Sequence, residues 1–426
     1  MDDDGRLPPV RLLPPVAPEP LPDPDASGRE VIGRVGAGAD VVVLGAPGTG
    51  KTGLALHLLL DAARRGRDAL LLAPTRARAN ALRTRAARLA RPGPADGAVR
   101  VRTPAGYAFA VLTAFLTRRP DPLPAPVLLA GAEEDAALAA LIRPEQWPGL
   151  PPEAVASRAF RTELRNLLAR AGELGVGAGA LAALGRELDV PLWGPASALL
   201  RTWDAQGRPT AERRGETRRM DTARVQDRAV EALEAWGGRG VTGARPVPDL
   251  VVVDDYQDCT AATARLLAAL ARPDADGRRA QVVVLGDPDL AVETFRGGSP
   301  SLLVEAEDRS GLAAERLILR TSHRGTPALR AVWRDQAGRI PVTGTASHRL
   351  APGAPDGAGG GAGPGDARPG GVEVLVASGP AQEAAHVART LRGEHVHHDT
   401  AWDAMAVVVR SADRARAVAR ELRRRG

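Results

Sequence analysis

The 426-residue chain has a single lysine among its 57 Lys and Arg residues, so arginine carries nearly all of its positive charge. It has one cysteine, Cys259, which excludes an intrachain disulfide and fits a reducing compartment. It has no apolar run near the about 18 residues that suggest a membrane span. No membrane association is expected from it. The N-terminus opens Met1-Asp-Asp-Asp and continues Pro-rich, without the basic and apolar regions of a signal peptide, so the expected location is cytoplasmic. No repeat of fixed period stands out.

The chain is rich in Ala, Gly, Pro and Arg, as GC-rich coding sequences are, and its net charge is +6. A basic balance suits a nucleic-acid partner and equally describes a solvated arginine surface. The lone lysine is the more informative residue. It lies in Gly45-Ala-Pro-Gly-Thr-Gly-Lys51-Thr52, a complete phosphate-loop pattern. An apolar run, 41–44, precedes the loop. Helical spacing at Leu54, Leu58 and Ala62 follows it, with Gly66 as a C-cap candidate. In such a loop the glycines let backbone N–H groups turn onto phosphate oxygens at a helix N-terminus, where the dipole favours negative charge. Gly45, Ala46, Pro47, Gly48, Thr49 and Gly50 would then line the nucleotide. Lys51 would reach the β- and γ-phosphates, and the Thr52 hydroxyl would hold Mg²⁺. Arginine serves everywhere else, but a planar guanidinium does not replace a compact ammonium inside a phosphate cradle.

Further apolar runs at 69–73, 250–253, 281–285 and 317–319 read as strands. Helical patterns at 76–91 and 261–271 lie between them, indicating a parallel α/β sheet. From about 131 to 240 the patterns are helical (133–142, 157–174, 221–236), with no convincing strand. Residues 352–371 are dominated by Gly, Pro and Ala and read as a flexible loop. Runs at 372–376 and 405–409 read as strands and 412–425 as a helix. The strand at 250–253 ends in Asp254-Asp255-Tyr-Gln-Asp258. A metal-holding carboxylate at that place is what a phosphate-loop nucleotidase needs, with Asp254 as the metal ligand and Asp255 placed as base for an attacking water.

Taken in order, these motifs resemble the N-terminal motor region of UvrD/Rep-type superfamily 1 DNA helicases. Val253-Asp-Asp-Tyr-Gln-Asp258 resembles that family's DExQD box. Leu285-Gly-Asp-Pro-Asp-Leu-Ala-Val-Glu-Thr-Phe-Arg-Gly-Gly298 resembles its GDxDQxIYxFRGA motif. Leu319-Arg-Thr-Ser-His-Arg324 resembles the motif that ends in a phosphate-sensing arginine. The segments 73–77 and 101–109 resemble the two DNA-contacting motifs that follow the phosphate loop, and 405–410 resembles a strand of the second motor domain. The resemblance covers about residues 40–426. The segment 129–135, with Trp147-Pro148, looks most like actinobacterial helicase-nuclease subunits of the AdnAB type.

The resemblance implies an α/β fold, a P-loop NTPase with a RecA-like parallel sheet, a helical insertion and the start of a second RecA-like domain. The expected layout is a Pro-rich tail at 1–30, a first motor domain at 31–125 and 241–312, an insertion at 126–240, and a partial second domain at 313–426. It implies ATP and Mg²⁺ as cofactors, with Lys51, Asp255 and Arg324 as the catalytic set. Thr75, Arg76, Tyr107, Phe295 and Arg296 would contact single-stranded DNA. Phe295 would stack on a base, although an ordinary core aromatic reads the same way, and Arg76 could equally be a solvated helix-start residue. The implied activity is that of a DNA-dependent ATPase module of a 3′-to-5′ helicase in recombination or repair.

Four positions depart from the family. Asp255 replaces a glutamate, Leu290 a glutamine that links nucleotide to DNA, and Glu293 a stacking aromatic. The adenine-reading glutamine is not found around 23–32. The later motor motifs have no counterpart, so an N-terminal fragment of a longer protein, or a truncated gene product, is expected. These departures favour a second possibility, a nucleotide-binding structural subunit that clamps DNA beside an active helicase-nuclease partner. A third, an unrelated P-loop nucleotidase, fits the ordered motifs less well.

Overall fold

The computed structural model describes residues 20–90, 98–129, 132–206, 219–220, 224–294, 297–308, 312, 314–353 and 371–424. The chain divides into two units, Met1–Asp366 and Ala367–Gly426.

The first unit is built on a six-stranded, fully parallel sheet. It begins with α1 (Ala26–Gly36), β1 (Val41–Leu44), α2 (Lys51–Arg64), β2 (Ala69–Leu72), α3 (Arg76–Leu89), β3 (Val99–Arg102) and α4 (Pro104–Thr117). A largely helical stretch follows: β4 (Val127–Leu128), α5 (Ala132–Leu141), α6 (Pro152–Ala156), α7 (Arg158–Leu174), α8 (Ala178–Glu187), α9 (Trp193–Gln206), β5 (Arg219–Met220) and α10 (Val225–Glu234). The sheet then resumes with β6 (Leu250–Val253), α11 (Ala261–Ala271), β7 (Gln281–Gly286), α12 (Leu302–Asp308) and β8 (Glu315–Ile318), and α13 (Pro327–Gly338) follows. The strand order is β3-β2-β6-β7-β1-β8.

The central strands are unbroken apolar runs because both faces are covered. Successive side chains point to opposite faces, so each strand feeds two cores. Val42 and Leu44 join α4, α10 and α11 on one side, while Val41 and Val43 join α1, α2 and α3 on the other. Each fully buried Val or Leu contributes roughly 1.5–3 kcal/mol, so the sheet is the most firmly held part of this unit. A third core, from Leu129 to Trp203, serves the helical block alone.

Three expectations about layout change. The tail was expected to run to residue 30. Instead α1 begins at Ala26, because the prolines stop at Pro24 and the Asp25 carboxylate caps the helix by accepting from the Gly28 N–H at 2.7 Å. The insertion was expected to run unbroken to 240, but α10 packs against α4 within the main core, and β4 and β5 pair in parallel, Val127 with Arg219. The segment from 313 was expected to open a second domain. Instead β8 pairs with β1, Val43 beside Leu317, and closes the edge of the first sheet.

The second unit contains α14 (Pro380–His398) and α15 (Ala412–Arg424). The strands expected at 372–376 and 405–409 do not form: among the described residues of this unit there is no ladder. Val374, Val376 and Val408 are 84%, 89% and 92% exposed. Alternation selects an extended chain, but a strand also needs a neighbour to take its N–H and C=O groups. The loop expected at 352–371 lies mostly outside the described residues. Among the described residues no single helix is long and apolar enough to cross a membrane; α7 and α8 pass that test only together, across a 109° bend.

Candidate functional site

In an open parallel sheet, ligands sit outside the carboxyl ends of the strands. Here that edge gathers the glycine-rich loop after β1, Asp254 and Asp255 after β6, Asp287 after β7, and the 319–324 segment after β8.

The loop runs from buried Leu44 into α2. Gly48 and Gly50 hold φ of +80° and +85°, the left-handed region that costs glycine little. Gly48 is also sterically required: a Cβ there would lie 2.7 Å from the Arg324 Cβ and 3.0 Å from the Ser322 Oγ. The loop is tied on both sides. The Thr49 hydroxyl donates to the Ala46 carbonyl at 2.8 Å, the His323 N–H donates to the Gly48 carbonyl at 2.9 Å, and the Ser322 hydroxyl donates to the Pro47 carbonyl at 3.1 Å. The first N–H groups of α2 have no partner within the helix and are aimed along its axis.

Lys51 is only 9% exposed. Its ammonium donates to the Gly45 carbonyl and, at 3.0 Å, to the Ala46 carbonyl. Burial pushes its pKa down, against the nearby carboxylates of Asp287, Asp255 and Asp254, which favour the charged form. The Thr52 hydroxyl donates to Asp254 Oδ2 at 2.9 Å. Asp254 is fully buried, and its pKa is raised to about 6, first by burial and then by Asp255. Its Oδ1 is buried with no hydrogen-bond partner. An orphaned carboxylate oxygen beside a threonine hydroxyl, at the N-terminus of the helix that follows the glycine-rich loop, fits the donor set of a Mg²⁺-bound polyphosphate.

Asp255 adopts φ +54°, ψ +50°, an uncommon conformation for a non-glycine residue, and it swings the chain into the turn that carries Gln257 and Asp258. The Gln257 side-chain Oε1 accepts from the Asp287 N–H at 3.1 Å. That approach requires Gly286 beside it, since a Cβ there would meet the Gln257 oxygen at 2.6 Å. Asp258 Oδ1 accepts from the N–H groups of Val292 and Glu293 at 2.8 and 3.0 Å. The acidic strand end thus also holds the segment that follows β7 in place.

Sequence reasoning missed Arg78. Its guanidinium lies 2.5 Å from Asp255 Oδ2 and 3.4 Å from Asp254 Oδ2, and it reaches the Thr52 hydroxyl at 3.3 Å. It sits in the first turn of α3, where the Thr75 hydroxyl caps the helix by accepting from the Arg78 N–H at 3.3 Å. Only the placement of α3 across the sheet edge brings it over the carboxylates, and no spacing in the chain signals that. Arg78 places there the positive charge that a metal ion would place beside the same carboxylates if one bound. Removing it, as Arg78→Ala, should lower the Mg²⁺ concentration for half-maximal nucleotide binding severalfold. The ligand-free protein should lose about 1 kcal/mol, a small figure because the side chain is 44% exposed. Titrating Mg²⁺ at fixed nucleotide, with a thermal melt alongside, checks both effects.

Arg324 lies beside Gly48 on a surface-exposed turn. Between them and α13 is a cavity of about 560 Å³, lined among others by Pro47, Arg324, Leu329 and Trp333. No glutamine serves the start of α1. Instead the Ser27 hydroxyl accepts from the Arg320 N–H at 3.1 Å, and Asp25 lies 3.4 Å from the His323 ring.

The expected DNA contacts divide. Thr75 and Arg76 line an open groove of about 320 Å³ with Thr103 and Pro104. Glu173, Asp258 and Glu293 line it as well. Tyr107 does not face this groove. It is 2% exposed within the main core, its hydroxyl donates to the Pro246 carbonyl, and burial pushes its pKa up. It lies at the fourth position of α4, on the face turned toward the sheet, so packing explains it. Phe295 and Arg296 lie outside the described residues.

No protein-family model matches the chain, and no curated protein sequence matches it.

Proposed function

We propose that the chain binds Mg²⁺·ATP at Gly45–Thr52 and forms the nucleotide-binding module of a UvrD-like DNA helicase motor, a P-loop NTPase with a RecA-like sheet whose ATPase depends on DNA. The observation that carries this reading is the convergence of Lys51, Thr52, Asp254, Asp255 and Arg324, from separate segments of the chain, around one glycine-rich loop at the carboxyl edge of a parallel sheet. Lys51 and the loop N–H groups hold the phosphates. Thr52 and Asp254 would hold Mg²⁺, which supplies charge neutralisation on the phosphate oxygens. Asp255 accepts the proton of the attacking water, and Arg324 senses the γ-phosphate. Single-stranded DNA would run along the Thr75–Arg76 groove.

A second reading, a nucleotide-binding subunit that clamps DNA beside an active partner, is favoured by two observations. The Asp255 carboxylate is engaged by Arg78, and it ends one carbon short of the glutamate that the motif calls for. A displacement near 1 Å can cost on the order of a hundredfold in rate. ATP hydrolysis with and without single-stranded DNA, in wild type and Asp255→Glu, separates the two. The motor reading expects DNA-stimulated turnover in wild type, rising on the order of tenfold or more in Asp255→Glu. Nucleotide binding without turnover in either protein supports the clamp, and turnover indifferent to DNA contradicts both.

A further inference from the structure

Among the described residues, one buried cluster outside the glycine-rich loop has the donor chemistry of a metal site. Asp287 lies at the end of β7, Asp289 two residues on, and His348 in the turn Ser347–Leu350. The ring of His348 and the carboxylate of Asp287 are fully buried, and the Asp289 side chain is 3% exposed. The His348 Nε2 lies 2.9 Å from Asp289 Oδ2 and 3.3 Å from Asp287 Oδ1. One ligand atom from each of the three residues lies within 4.8 Å of the other two.

A hydrogen-bonded ion cluster accounts for only part of this. A single imidazole N–H makes one good hydrogen bond, yet two carboxylates converge on the same nitrogen. Asp289 has a second partner, since Arg349 donates to its Oδ1 and Oδ2 at 2.5 and 2.7 Å. Asp287 Oδ1 also accepts from the Asp289 N–H at 3.0 Å, but its Oδ2 is buried with no hydrogen bond. A fully buried carboxylate oxygen without a donor is costly, and an ion shared with His348 and Asp289 would satisfy it.

We propose that Asp287, Asp289 and His348 bind one divalent first-row transition-metal ion. An imidazole with two carboxylates suits Mn²⁺, Fe²⁺, Co²⁺ or Zn²⁺ and not Mg²⁺ or Ca²⁺, which take oxygen donors. In that arrangement Arg349 keeps its bond to Asp289 Oδ1, while Oδ2 turns to the ion. The bound ion clasps the 347–350 turn to the carboxyl end of β7. That clasp lies beside Lys51, whose charge Asp287 supports. The proposal rests on these three side chains and not on the nucleotide reading.

The test uses the full chain, stripped with chelator and titrated with Zn²⁺ and Co²⁺ by calorimetry in the absence of nucleotide and Mg²⁺. One tight site per chain is expected, with a Co²⁺ absorption spectrum that shows nitrogen ligation. Affinity should fall at least about tenfold in both His348→Ala and Asp289→Asn, as loss of one ligand or its support implies. The triple variant His395→Ala, His397→Ala and His398→Ala, which removes the other histidine cluster, should keep the site. If His348→Ala does not fold, the wild-type melt decides: Zn²⁺ should raise Tm by about a few degrees. No tight site in the folded wild type, or an undiminished site in His348→Ala, overturns the proposal and leaves a protein-only ion cluster.

Discussion

Lys51→Ala is expected to weaken Mg²⁺·ATP binding on the order of a hundredfold and to abolish hydrolysis. The ammonium is nearly buried, and three carboxylates, Asp254, Asp255 and Asp287, support its charge. Alanine leaves that negative cluster facing the triphosphate with one positive side chain fewer to offset it. A hydrogen bond to a charged group contributes about 1.5–3 kcal/mol, and breaking a buried ion pair costs roughly 3–5 kcal/mol. About 3 kcal/mol corresponds to a little over a hundredfold in affinity. Lys51→Arg is expected to rescue little. The ammonium donates to the Gly45 and Ala46 carbonyls inside the loop, where a planar fork does not fit. Equilibrium binding of a fluorescent ATP analogue to the three proteins measures this, and wild-type affinity in Lys51→Arg would count against the steric part of the argument.

Asp254→Asn should do two opposite things. It should remove Mg²⁺-dependent nucleotide binding, since the ligand charge is gone. It should also stabilise the ligand-free protein at pH 7.5 by roughly 2–3 kcal/mol. The reason is linkage. Burial and Asp255 raise the Asp254 pKa from 3.8 to about 6. The folded state therefore holds this proton more tightly than the unfolded chain. Stability falls as pH rises from about 4 through about 6. Above that range the ionised group costs about 1.4 kcal/mol for each pH unit that separates its folded and unfolded pKa. Asparagine carries no such cost and can still accept from Thr52. The gap in stability between variant and wild type should close as pH is lowered toward 4. A variant equal to or less stable than wild type at pH 7.5 would show that Arg78 and Lys51 compensate Asp254 fully.

Much of the sheet and the loop was legible in the chain. The strands after residues 40, 68, 249 and 280 are short apolar runs that end in glycine or acid or lead into a proline turn, and burial on both faces favours nothing else there. The helix after Lys51 combines a glycine turn, helical spacing and a glycine stop, three signals that agree. Residues 372–376 and 405–409 show the same apolar character as true strands, but that pattern carries no information about a neighbour. Tyr107 was read from its motif, which names a residue type and not the side of the helix it faces. Arg78 and His348 act through contacts across 176 and 59 residues. In a chain with this much arginine, nothing local marks Arg78 among its neighbours.

The most direct test of the account is Mg²⁺·ATP binding to the ligand-free wild type and to Lys51→Ala, by calorimetry at pH 7.5 with and without Mg²⁺. The account predicts one saturable site in wild type, weakened when Mg²⁺ is withdrawn and weakened on the order of a hundredfold in Lys51→Ala. No saturable binding in the folded wild type, or equal binding in both proteins, would contradict it.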